Sequence, residues 1–121
     1  MCRDYDRQPC LATQHVLHLR HLIDDLIHRQ RSITRHFSLI LTNQDYTHSK
    51  PHPEPYLTAL RRFGIAAADA LVVEDSERGL KAAVAAGIDC AAVYHDFTAT
   101  QDFSAATYRL PTLSALLELI E

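Results

Sequence analysis

The chain has 121 residues, 47% hydrophobic side chains and a formal net charge of −3, an ordinary composition for one soluble globular domain. The acidic balance and the absence of a Lys/Arg run argue against nucleic acid as a partner. No apolar segment approaches the roughly 20 residues that span a bilayer, so no membrane role is expected.

The first ten residues, MCRDYDRQPC, lack the apolar core of a secretion signal. Cys2, Cys10 and Cys90 show no CxxC spacing, which speaks against a disulfide framework or a cysteine-zinc site. A reducing, cytoplasmic setting is the expectation. Asp4-Tyr5-Asp6 has the look of a catalytic Asp-x-Asp pair, but no apolar strand precedes it and no Gly-Thr turn follows. Nothing there aims both carboxylates into one site. Pro9 to Thr13 reads as a short strand. From Gln14 to Gln30, Val16, Leu19, Leu22, Ile23, Leu26 and Ile27 recur at helical spacing. His15, His18 and His21 lie three apart on that helix, with His28 beyond. A solvated helix face accounts for them better than a metal site, which needs convergent ligands and a second shell.

Phe37 to Leu41 (FSLIL) reads as a buried strand. The loop Ser49-Lys50-Pro51-His52-Pro53-Glu54-Pro55 follows, its alternating prolines holding the chain extended. A helix then runs from Glu54 to Phe63, burying Leu57, Leu60 and Phe63 and stopping at Gly64. Leu71, Val72 and Val73 form a continuous apolar run, as in a strand buried on both faces of a parallel sheet. It ends at Glu74-Asp75, two adjacent carboxylates that need partners if buried. Ser76 suits a helix N-cap, and Glu77 suits the positive end of the helix dipole. Leu80, Ala83, Val84 and Gly87 give that helix a small apolar face and a glycine stop. Cys90 to Tyr94 reads as another strand, residues 95–110 as a weakly patterned loop, and Pro111-Thr112 as the start of a last helix. Its apolar face is Leu113, Leu116, Leu117 and Ile120. Strand and helix alternate throughout, so the fold class is α/β, a parallel Rossmann-like sheet with right-handed crossovers.

Open α/β sheets bind ligands outside the carboxyl ends of their strands, which is where Glu74 and Asp75 fall. Two acids there suggest a hard, oxygen-liking cation such as Mg²⁺. A solvated acidic turn that merely caps the helix is the competing interpretation.

Ser49-Lys50-Pro51-His52-Pro53-Glu54-Pro55-Tyr56, followed by Val72-Val73-Glu74-Asp75-Ser76-Glu77-Arg78-Gly79, resembles the haloacid dehalogenase-like (HAD) hydrolases. The likeness is closest to the phosphatase and phosphomutase branch similar to β-phosphoglucomutase, and runs from Phe37 to the C-terminus. In that family an aspartate attacks a phosphate ester and water releases the phosphate. The resemblance implies that Lys50 is the motif lysine, a catalytic point charge on the phosphoryl oxygens and the nucleophile. It implies that Asp75 binds Mg²⁺ directly and that Glu74 does so directly or through water. The substrate implied is a small phosphorylated metabolite. Arg78 and His52 lie near these motifs without an assigned role.

Two family motifs are not matched. Asp-x-Asp-Gly-Thr, which carries the nucleophile, is absent from these 121 residues. The hydroxyl that binds phosphate has one candidate, Thr13, whereas a gapless alignment backwards from Phe37 puts Leu17 or His18 there. The helical cap that selects substrate has no counterpart. The expectation is therefore the C-terminal part of the core over residues 18–121, a poorly patterned segment over 1–17, and a truncation or changed start. In the implied sheet order 5-4-1-2-3, Phe37–Leu41 would be the third strand, Leu71–Val73 the fourth and Cys90–Tyr94 the fifth. The nucleophile strand between the third and fourth would be missing. The chain reads as a Mg²⁺-dependent phosphatase or phosphomutase core, weak or inactive alone, which leaves its standing as an enzyme open. The alternative is a non-catalytic binding or scaffolding module whose open sheet edge pairs with a partner chain or a second copy.

Overall fold

The computed structural model describes residues 37–120. The Asp4-Tyr5-Asp6 pair, Thr13, Leu17, His18, the 1–17 segment and the histidine-bearing helix over Gln14–Gln30 lie outside the described residues.

Pro51 and Pro53 keep the Lys50 loop out of helix, and α1 then spans Glu54–Phe63, with Pro55 in its first turn where a missing N–H is tolerated. Gly64 ends it in the left-handed region at φ 66°, where a side chain would be strained. A 3₁₀ turn at Ala67–Asp69 leads into β1, Leu71–Glu74. Next come α2 (Glu77–Ala85), β2 (Asp89–Val93) and β3 (Tyr108–Leu110). A 3₁₀ turn at Leu113–Ala115 feeds α3, Leu116–Ile120. The strands form one parallel sheet in the order β1-β2-β3, with Val72 opposite Cys90 and Ala92 opposite Arg109.

The period of two along each strand divides the core between the two faces. Val72, Cys90 and Ala92 face one side, where Leu80 and Ala83 of α2, Ile88 and Phe103 close over them, with Tyr56 and Leu60 of α1 at the margin. Ala91 faces the other side and packs with Leu116, flanked by Leu71, Val73 and Leu110. Residues small enough to be wholly buried, Ala82, Ala83, Ala91 and Ala92, let helix and sheet approach closely.

Ser76 caps α2 as expected: its Oγ accepts the Gly79 N–H at 3.1 Å. Ser76→Ala removes that acceptor and is expected to lower stability by about 1 kcal/mol, read as a shift in the urea midpoint at unchanged m. Ser76→Thr, which keeps the capping hydroxyl, should restore most of the loss.

Several expectations need correction. Phe37–Leu41 is not a strand. An apolar run makes a strand only beside a ladder partner, and no described residue pairs with it. The segment instead leads into a turn closed by Asp45, whose Oδ2 accepts the Thr42 N–H at 2.8 Å. Leu57 and Phe63 of α1 are exposed, and Pro55 and Thr58 are its buried residues. Val84 is exposed too, because α2 meets the sheet through Gly79, Leu80, Ala82 and Ala83. The 95–110 stretch contains β3, too short and too exposed at Tyr108 and Arg109 to show an apolar pattern. No helix among the described residues is long and apolar enough to cross a membrane.

Candidate functional site

β1 delivers its last residue, Glu74, to the C-terminal end of the sheet, on the same face as Val72. Glu74 is buried, with 8% of its side chain exposed, and such a carboxylate is stable only when partnered. Lys50 and Tyr56 both donate to its Oε1, one from the proline-rich loop and the other from the first turn of α1. Ser76 Oγ donates to Oε2 at 3.4 Å, a long contact. No buried side-chain polar atom among the described residues lacks a hydrogen-bond partner. The Lys50 ammonium also lies 4.9 Å from the Tyr56 ring centroid, adding a cation–π contact.

Two neighbours fix this arrangement. Arg78 Nε donates to the Lys50 backbone carbonyl, tying α2 to the lysine loop. Gly79 leaves the space the Glu74 carboxylate occupies, since a Cβ there would overlap its Oε atoms. Burial, and then the hydrogen bond to Glu74, raise the Tyr56 hydroxyl above its ordinary value, so it remains a donor. The Cys90 thiol is pushed up to about 11, by burial first and by Glu74 second, which leaves it an inert core residue at neutral pH.

Asp75 differs from its neighbour. It follows the strand, its side chain is 66% exposed, and its Oδ2 lies 3.6 Å from His95 Nε2. Glu77 braces the wall opposite: its backbone N–H donates to Gln101 Oε1 at 2.8 Å, and its carboxylate accepts the Asp102 N–H at 3.2 Å. The Lys81 ammonium pairs with Glu77 one helical turn on, at 2.6 Å.

This donor set suits a hard cation in part. Asp75 presents open carboxylate oxygens to solvent, and Glu74 retains one oxygen held by no short contact. The other Glu74 oxygen is already shared by Lys50 and Tyr56, so Asp75 is the stronger ligand candidate and Glu74 the weaker. Lys50, 39% exposed, has three donor hydrogens and commits one of them to Glu74.

The family model described as haloacid dehalogenase-like hydrolase matches residues 21–93, more than half the chain. The chain belongs to that family. Among curated HAD relatives, Protein CbbY of Rhodobacter capsulatus is 40% identical over 79 residues, 65% of this chain and 35% of its own length. Phosphoglycolate phosphatase of Escherichia coli K12 is 42% identical over 55 residues, covering 46% of this chain and 22% of the enzyme. The crystal structure of CbbY from Rhodobacter sphaeroides in complex with phosphate superposes with a TM-score of 0.66 at 29% identity, over 71% of this chain and 38% of that one. The chain thus spans about a third of the length of the first of these relatives.

Within this HAD frame, Lys50 meets Glu74, Asp75 follows Glu74 in the chain and turns to solvent beside His95, and Thr13 lies outside the described residues. Arg78 gains a role as a brace of the Lys50 loop. Tyr56 and His95 were not singled out beforehand. His95 could have been found, because it follows β2 as Asp75 follows β1, at the same end of the sheet. Tyr56 carries no such signal; only the packing of α1 brings it to Glu74.

Proposed function

We propose that residues 37–120 form the cation- and phosphate-binding side of a HAD-type phosphatase site acting on a small phosphorylated metabolite. The observation that carries this is the meeting of Lys50 and buried Glu74 beside exposed Asp75, at the end of a parallel strand where such folds bind ligands. Phosphoryl transfer depends on positioning and charge neutralisation, and these side chains supply both.

Asp75 would hold Mg²⁺, with Glu74 as an outer or water-mediated ligand, and the metal would neutralise and orient phosphate oxygens. Lys50 places its remaining donors on the phosphate while Glu74 and the Tyr56 ring hold its stem. Arg78 keeps the lysine loop against α2. Gln101 and Asp102, fastened to Glu77, hold the loop that carries His95 toward Asp75.

The nucleophile is not among Lys50, Glu74 and Asp75, and no Asp-x-Asp-Gly-Thr occurs in the sequence. Turnover by these 121 residues alone is therefore expected to be weak or absent. The check is hydrolysis of p-nitrophenyl phosphate with Mg²⁺ and with EDTA. Robust Mg²⁺-dependent hydrolysis, lost in Asp75→Asn, would overturn this expectation and bring Asp4 or Asp6 forward as nucleophile.

A second reading is favoured by the free side of β1, which pairs with β2 alone among the described residues. In that reading the chain is a non-catalytic module whose sheet is completed by a partner chain or a second copy. A concentration-dependent dimer in size-exclusion chromatography would favour it, and a monomer at every concentration would count against it.

A further inference from the structure

His48, His52 and Glu54 lie outside the phosphate-site constellation, on the loop that carries Lys50 and the first residue of α1. One potential ligand atom from each, two imidazole nitrogens and a carboxylate oxygen, falls within 4.8 Å of the others. His48 Nδ1 lies 2.7 Å from Glu54 Oε2, and the two imidazole rings stack with centroids 4.6 Å apart. The Glu54 backbone N–H donates to His52 Nδ1 at 3.1 Å. The Glu54 carboxylate is fixed in turn by the Thr47 and His48 backbone N–H groups, each at 2.8 Å.

From this geometry we propose that His48, His52 and Glu54 form a binding site for a borderline transition-metal dication of the Zn²⁺ class, which pins the lysine loop from both sides of Lys50. Imidazole selects Zn²⁺ over Mg²⁺ or Ca²⁺, which take oxygen ligands, so this site and Asp75 divide the two kinds of ion between them. Two histidines and one glutamate are a known three-ligand set for zinc, leaving further positions for water. The carboxylate is preorganised by its two amide bonds, a second shell of the kind that orients metal ligands. A metal at His48 Nδ1 needs the lone pair of that nitrogen, so a hydrogen between Nδ1 and Glu54 Oε2 would move to Nε2 or leave to solvent. The short His48–Glu54 approach must then widen slightly, because two ligands each about 2.0–2.1 Å from zinc in a tetrahedral arrangement stand farther apart than a hydrogen-bonded pair. His48 and His52 are exposed, so an ion reaches them without opening the core.

The test is competition between the whole 121-residue chain and a chromophoric chelator for Zn²⁺, with Mg²⁺ in excess to occupy oxygen-only sites. His48→Ala and His52→Ala are each expected to weaken one Zn²⁺ equivalent by at least about tenfold, the lower end of what losing even an outer-shell partner costs. A triple variant, His15→Ala/His18→Ala/His21→Ala, is expected to keep that equivalent. In the unmutated chain, the ring-nitrogen NMR signals of His48 and His52 should shift together as the first Zn²⁺ is added. Unchanged affinity in both single variants, or loss of the equivalent in the triple variant, would overturn the assignment. So would ring signals of His48 and His52 that stay put. Neither readout depends on phosphate or on turnover, so failure here is distinct from failure of the phosphatase reading.

Discussion

Asp75→Asn is expected to abolish Mg²⁺ binding by the chain while leaving its stability within about 0.5 kcal/mol of the original. The substitution keeps the shape of the side chain and removes its charge, and a hard dication discriminates between carboxylate and amide on charge. The folded state loses little, because Asp75 is mostly exposed and its pairing with His95 at 3.6 Å is worth about 0–1 kcal/mol at most. Glu74→Gln should behave in the opposite way. That residue is buried under Lys50 and Tyr56, so the change disturbs packing and stability more than ion binding. Isothermal titration with Mg²⁺ and a urea melt on each variant separate the two roles. Mg²⁺ binding that survives Asp75→Asn would sink the metal assignment.

The second large effect is expected at Gly79. A glycine within a helix is less favourable than alanine by about 0.8–1.0 kcal/mol, so Gly79→Ala would stabilise α2 if nothing stood in the way. Here the added Cβ would overlap the Glu74 carboxylate. The carboxylate must move, and with it the contacts from Lys50 and Tyr56, so the variant is expected to lose about 1–3 kcal/mol, typical of overpacking. The sign can be reversed. In a Glu74→Ala background the space is empty, and Gly79→Ala should then raise stability relative to Glu74→Ala alone. This double-mutant cycle isolates the contact between the two residues from the helix propensity of either. A destabilisation of equal size in both backgrounds would mean that Gly79 is needed for a reason other than Glu74.

The parts of this fold that were legible in the sequence are those fixed by short-range chemistry. The bounds of α1 follow from prolines that forbid helix and a glycine that ends it. The capping of α2 by Ser76 and the apolar run of β1 are equally local. The place of Glu74 and Asp75 at the end of β1 follows from strand direction. Features decided by tertiary partners were not legible. Phe37–Leu41 has the composition of a strand but no ladder partner among the described residues. β3 pairs through its backbone, and of its three side chains only Leu110 packs into the core. Leu57 and Phe63 sit at helical spacing yet face solvent, because α1 turns Pro55, Thr58 and Tyr56 inward instead. Tyr56 joined the site for the same reason: its partner Glu74 comes from another element.

Binding of inorganic phosphate by the 121-residue chain, measured with and without Mg²⁺ and repeated in Lys50→Met, tests the central claim most directly. Methionine keeps most of the length of the Lys50 stem and removes its charge, and a melt of the variant shows whether the fold survives beside an unneutralised Glu74. If Lys50 and Asp75 form the phosphate and cation side of a HAD site, phosphate binds only when Mg²⁺ is present, and the folded Lys50→Met variant loses it. Phosphate binding that needs no Mg²⁺, or that persists unchanged in the folded variant, would contradict the assignment of this site.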